Sequence, residues 1–186
     1  YCYNSKLPRN GKRNGDNFIK QGLSKKLHGK SKQAAFADLI GEEFEVDTIT
    51  ELRNRHGYCV LFDCHSIKSV VPRFFDGVLS DFNVGTAEGT SCDIELENLL
   101  SDTLSKYSNF SLAINGRFKG GYITRQYGKP EQGIHAFQLE LSTATYMDEE
   151  PDFKWREDLA DLVRPSLKDM MQVAVEWRPK RMRNKT

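Results

Sequence analysis

The sequence predicts an α/β fold in which a mixed sheet is flanked by helices, and three observations carry that prediction. Short apolar runs at 58–63, 110–114 and 134–142 have strand length. Segments with apolar residues at helical spacing alternate with them, the arrangement that builds α/β layers. The chain's 186 residues, 38% hydrophobic and 28% charged, suit one globular domain or one domain with an appendage.

The first helix is predicted from Phe36, Leu39, Ile40, Phe44, Ile49 and Leu52. Its acids (Glu42, Glu43, Glu45, Asp47) lead and its bases (Arg53, Arg55) follow, as the helix dipole prefers, and Gly57 is a natural stop. The strand "YCVLFD" (58–63) comes next. Residues 68–90 combine turn-formers and polar groups without periodicity, so a loop region is expected there. Leu96, Leu99, Leu100 and Leu104 predict a helix over 93–106, and "FSLAI" (110–114) a strand. "NGRFKGGYITRQYG" (115–128) reads as a glycine-rich loop leading into another short strand, before the clear strand "IHAFQLELS" (134–142). A last helix spans 152–177 on Trp155, Leu159, Leu162, Val163, Leu167, Met170 and Met171, kinked or interrupted at Pro165.

Composition excludes several classes. No apolar run is long enough for a membrane-spanning helix, and the opening "YCYNSKLPRN" shows no signal peptide. The chain starts at Tyr1 rather than Met, so it is expected to be an amino-terminally truncated or altered gene product, or one segment of a larger protein. Four cysteines without a CxxC pair are expected to be reduced thiols in the cytoplasm, not a disulfide framework or a four-cysteine zinc knuckle. Residues 1–33 hold nine Lys/Arg against Asp16 alone, which leaves the rest at about −7 from 18 basic and 25 acidic residues. That segment is expected to be atypical or disordered and 34–186 to be the domain proper. Its few aromatics, and the lack of a helix-turn-helix or RNA-recognition pattern, argue against nucleic acid as the partner.

Three motifs could carry chemistry. In "DCHS" (63–66) an extended chain puts Asp63 and His65 on one face and Cys64 on the other, giving an imidazole with a carboxylate to orient it. The same pattern also serves a His merely hydrogen-bonded at a strand end. In "HAFQLELS", Gln138 and Glu140 share a face, and a charge there needs a partner or water. Plain solvent exposure and a general base both satisfy that need. In the 115–128 loop, Gly120 and Gly121 permit close backbone approach amid Arg117, Lys119 and Arg125. Its glycine spacing is not that of a P-loop, and a carboxylate clamp or a solvated basic hairpin would look alike.

Taken in order, "DCHSI", "PRFFDG", "DFNVGTAEGTSC", "NGRFKGGYITRQYG" and "HAFQLELSTATYMDE" resemble the N-formylglutamate amidohydrolase (deformylase) family over about Gly57 to Glu149. The resemblance implies a phosphorylase/hydrolase-like sheet, distantly similar to the zinc carboxypeptidases. It implies zinc-dependent hydrolysis of N-formyl-L-glutamate to formate and L-glutamate, within histidine degradation. By motif position it makes His65 a zinc ligand; Asp63 beside it is expected to orient the imidazole in preference to joining the ion as a co-ligand. It makes Glu140 the carboxylate that acts on water, and Arg73, Asn115, Arg117, Lys119 and Arg125 the substrate contacts. His135 is a further donor or a structural His.

Family members also carry an early Ser-x-Pro-His-x-Gly motif followed by an acidic ligand. His28, in "KLHGKSK", does not match it, and no His-x-x-Glu occurs. The fold is therefore expected to be N-terminally incomplete, with an exposed sheet edge that invites self-association. Two other functions fit the same residues: hydrolysis of another N-acyl amino acid, or a catalytically incompetent remnant that binds partners through its basic arm.

Overall fold

The computed structural model describes residues 42–180. Its elements are α1 (Glu42–His56), β1 (Cys59–Ile67), β2 (Phe82–Gly85), α2 (Ile94–Ser105), β3 (Leu112–Ile114), α3 (Tyr122–Tyr127), β4 (Ile134–Ser142) and α4 (Glu157–Glu176). The basic segment 1–33, with Cys2 and His28, lies outside the described residues, as do Phe36, Leu39 and Ile40 of the first expected helix.

The strands form one mixed sheet in the order β1-β4-β2-β3. β1 runs parallel to β4, setting Asp63 beside Gln138 and His65 beside Glu140. β2 is antiparallel to β4, with Asn83 beside Glu140, and parallel to β3.

Alternation along the strands gives the sheet two different faces. One face carries Phe82, Val84, Phe137, Leu139 and Leu141, packed under Leu96, Leu100 and Leu104 of α2 and Val163 and Met170 of α4. Phe62 stacks on Phe137 with ring centroids 4.8 Å apart. Each such side chain, fully buried, contributes about 1.5–3 kcal/mol, so this face holds most of the fold's stability. Asp93 caps α2 by accepting from the Glu95 N–H at 2.9 Å, and Glu95 and Glu97 suit the positive end of the dipole.

The opposite face is apolar at one end only. Cys59, Leu61 and Ile134 pack against Ile49 of α1 and Ile123 and Tyr127 of α3. Beyond them, where the parallel strands β1 and β4 end, the same face presents Asp63, His65, Gln138 and Glu140. Carboxyl ends of parallel strands are where open α/β sheets mount their chemistry.

Four elements differ from the sequence expectation. Strand β2 falls inside the expected 68–90 loop; it is four residues long and buried throughout, so it shows no alternation to read. "YITRQY" forms α3 instead of a strand, because Ile123 and Tyr127, one turn apart, dock together on the sheet and override a β-like composition. β1 runs to Ile67, not to residue 63. α4 starts at Glu157 and passes through Pro165 without a break. Buried residues on both sides of that proline, Ala160 and Val163 before it and Ser166 and Met170 after it, hold the helix together despite the lost backbone bond.

The thiols separate by environment. Cys59 and Cys92 are buried and Cys64 is exposed. Burial pushes the Cys92 thiol up to about 12, with Glu97 and Asp93 adding to it, and burial raises Cys59 as well. Iodoacetamide at about pH 8 should therefore label Cys64 in the folded chain and reach Cys59 and Cys92 only after denaturation. Peptide mapping reads this directly, and equal labelling of Cys92 and Cys64 in the native state would contradict the packing described.

Candidate active site

Glu140 is the centre of the polar half of the sheet. It is only 8% exposed, in the middle strand pair, between His65 on β1 and Asn83 on β2. Burial raises its carboxyl above the usual range, and the Asp63 charge adds to this; the His65 charge and a hydrogen bond from Gln138 oppose it. A carboxylate in a dry place, with its proton affinity raised, suits proton transfer.

One hydrogen-bonded arm holds this group, and a His–Asp pair acts on it by charge alone. On one side Gln138 Nε2 donates to Glu140 Oε2 at 3.0 Å, and the backbone N–H of Gly121 donates to Gln138 Oε1. The glycine loop is thus tied to the carboxylate through one amide. A Cβ at Gly121 would come within 3.1 Å of Gln138 Oε1, so the side-chain-free residue allows the approach.

On the other side Asp63, buried, lies 2.7 Å from His65 Nε2, while the imidazole is about half exposed. The hydrogen bond to Asp63 raises the His65 pKa above its ordinary value, partial burial opposes this, and the charges of Asp63 and Glu140 reinforce it. With Nε2 turned to Asp63, Nδ1 is the nitrogen left for a proton or a metal.

The other expected site residues divide by what they touch. Arg117 is exposed on the glycine loop. Arg73 is exposed with its guanidinium 5.8 Å from the Phe74 ring. Phe75 meets Phe118 edge-on at 6.1 Å, joining the turn that bears Arg73 to the loop that bears Arg117 and Lys119. Lys119 is paired with Glu88 at 2.6 Å, and Arg125 donates to the Gly120 carbonyl. Asn115 spends its amide on the framework, bonding to the N–H groups of Thr86 and Glu88 and to the side chains of Thr86 and Glu97. His135 lies on the opposite face; its Nδ1 accepts from the Asp93 N–H at 3.1 Å and its ring packs against Trp177. It helps seat α2, so its role as an extra donor to substrate falls away.

Gly85 escaped the sequence reading. Any Cβ there would sit 2.3 Å from Gly120 N, so β2 and the glycine loop touch backbone to backbone. A glycine ending a four-residue strand carries no distinctive local signal.

Among the described residues no group of three or more His, Cys, Asp or Glu is gathered to hold a metal ion. Catalytic zinc takes three protein ligands plus water. His65 supplies one nitrogen and Asp63 is engaged with it, so the described residues alone do not fit the ion.

A family model described as N-formylglutamate amidohydrolase matches residues 46–147. An N-formylglutamate deformylase of Pseudomonas aeruginosa is 46% identical over 131 residues, 70% of this chain and 49% of that protein. One of Pseudomonas putida is 47% identical over 129 residues, covering 69% and 48%. The chain thus spans about half the length of the curated relatives it matches. The crystal structure of an N-formylglutamate amidohydrolase from Ralstonia eutropha superposes with a TM-score of 0.61 at 23% identity, over 77% of this chain and 51% of that one. That likeness establishes the fold: helices flanking a mixed sheet. With the family pattern running through β1, the glycine loop and β4, over more than half of its residues, the chain belongs to the N-formylglutamate amidohydrolase family.

Proposed function

We propose that this chain carries the general-base half of an amidohydrolase that converts N-formyl-L-glutamate to formate and L-glutamate, in histidine degradation. The observation that carries the reading is the buried Glu140 carboxylate, held by Gln138 and facing the Asp63–His65 pair, in a chain of this family.

Glu140 takes a proton from water as its oxygen attacks the formyl carbon. The carbon–nitrogen bond then breaks, and the same proton passes to the departing glutamate nitrogen. Cations on the two loops joined by Phe75 and Phe118, Arg73 and Arg117 first among them, bind the substrate carboxylates and so orient the amide. Lys119 and Arg125 spend part of their donor capacity on Glu88 and the Gly120 carbonyl, and their remaining N–H groups serve the same carboxylates.

Zinc enters this reading through His65 as one ligand, and its other ligands would come from outside residues 42–180. The zinc-carboxypeptidase-like ancestry, the division into 1–33 and an amidohydrolase part at 34–186, and a cytoplasmic setting that keeps the thiols reduced belong to the same proposal. So does self-association: among the described residues no strand pairs with the outer edge of β1. A sedimentation coefficient that rises with concentration would support it, and a constant monomer value would remove it.

The test is formate release from N-formyl-L-glutamate by the full chain, with and without added zinc, beside His65→Ala. Release that is lost in the variant is expected. Release from other N-acyl amino acids but not from this one would change the substrate. No release from a folded, monodisperse sample would favour a catalytically incompetent relative acting as a binding protein.

A further inference from the structure

Asn115 begins the glycine loop in a left-handed conformation, φ 50°. Its Oδ1 accepts from Thr86 N at 2.8 Å and Glu88 N at 3.2 Å; its Nδ2 donates to Thr86 Oγ1 at 2.8 Å and Glu97 Oε2 at 3.0 Å. Both amide hydrogens and both oxygen lone pairs are used, leaving no capacity for a substrate contact. Thr86, fully buried, donates its hydroxyl to the same Glu97 oxygen and accepts from Gly89 N at 3.1 Å. Ala87 and Glu88 are themselves left-handed, at φ 51° and 57°. Non-glycine residues hold that conformation only when their surroundings impose it. Further along, Ala87 N donates to the Lys119 carbonyl at 2.6 Å.

We propose that Glu97, acting through Thr86 and Asn115, is a positioning residue that fixes the loop 115–121 against the sheet, and this rests on the reading of that loop as the substrate loop. Glu97 touches no reacting atom in this scheme. It terminates a hydrogen-bond chain from the first turn of α2 to the root of the loop, whose far end sets Gln138 and hence Glu140. Losing a bond to a charged acceptor frees the root, and the loop opens locally while the core face stays packed.

The experiment is limited trypsin digestion of the full chain, with cleavage after Arg117, Lys119 and Lys168 quantified by mass spectrometry. Glu97→Ala, which removes the acceptor, and Thr86→Val, which removes the hydroxyl, should each speed cleavage after Arg117 and Lys119 about tenfold while leaving Lys168 on α4 unchanged, because cleavage follows local opening. Thr86→Ser, which keeps the hydroxyl, should digest like the parent chain. N-formyl-L-glutamate should protect the loop in the parent, and more of it should be needed in the two loosened variants. Loop cleavage within about twofold of the parent in both variants, or equal acceleration at Lys168, overturns the assignment. Loop-specific acceleration with no protection by N-formyl-L-glutamate in the parent supports the positioning role and overturns the substrate reading instead.

Discussion

Glu140→Gln should lower kcat for N-formyl-L-glutamate by about 10²–10⁴-fold, the usual contribution of a positioned general base. The variant keeps shape and volume, and its side-chain oxygen can still accept from Gln138 Nε2, 3.0 Å away in the parent. Substrate affinity should therefore change little, because the carboxylate-binding cations sit on other elements. Thermal stability should hold or rise. A charged carboxyl that is 8% exposed costs desolvation, burial already raises its pKa, and a neutral amide escapes that cost. Lost turnover with an unchanged or higher melting temperature is thus the signature of a group kept for chemistry rather than for packing. Turnover within about threefold of the parent would remove Glu140 from the mechanism. A large fall in melting temperature would instead make it a structural carboxylate.

How far this site could be read from the sequence depended on how local its determinants are. The facing of Asp63 and His65, and of Gln138 and Glu140, follows from the two-residue period of a strand, and both pairs were legible before any coordinates. That the two pairs face each other depends on the parallel register of β1 and β4, which no local pattern specifies. The glycine loop was recognisable from Gly120 and Gly121, but its direction was not. "YITRQY" has strand-like composition and becomes helix because Ile123 and Tyr127 find a shared apolar patch on the sheet. Asn115 shows the same limit at a single residue. Its place in a polar loop suggests a ligand contact, and only the positions of Thr86 and Glu97 reveal that its amide is fully used. β2 was missed because a central strand buried on both faces has no alternation to betray it.

Gly85→Ala tests the contact on which loop and sheet both depend. The added methyl would lie 2.3 Å from Gly120 N, 2.5 Å from the Lys119 carbonyl carbon and 2.8 Å from Gly120 Cα. All three are backbone atoms, so no side-chain rotation relieves the clash, and the 119–120 segment must move away. That movement breaks the 2.6 Å bond from Ala87 N to the Lys119 carbonyl and pulls Gly121 from Gln138. A destabilisation of about 2–4 kcal/mol is expected, at the upper end for overpacking, with a fall in melting temperature of about 5–15 °C. Gly116→Ala is the matched control on the same loop. Its new methyl would meet only the Ala113 side chain, at 3.1 Å, and a small shift accommodates it, so a cost below about 1 kcal/mol is expected. Because Gly85 pairs with Gln138 across β2 and β4 and also touches Gly120, next to the Gly121 that bonds the same Gln138, its variant should also lose turnover at temperatures where the core remains folded. Turnover lost together with faster tryptic cleavage after Lys119 would show that the backbone contact sets the carboxylate. A Gly85→Ala chain as stable as Gly116→Ala would mean that the loop yields freely, and that β2 does not hold it.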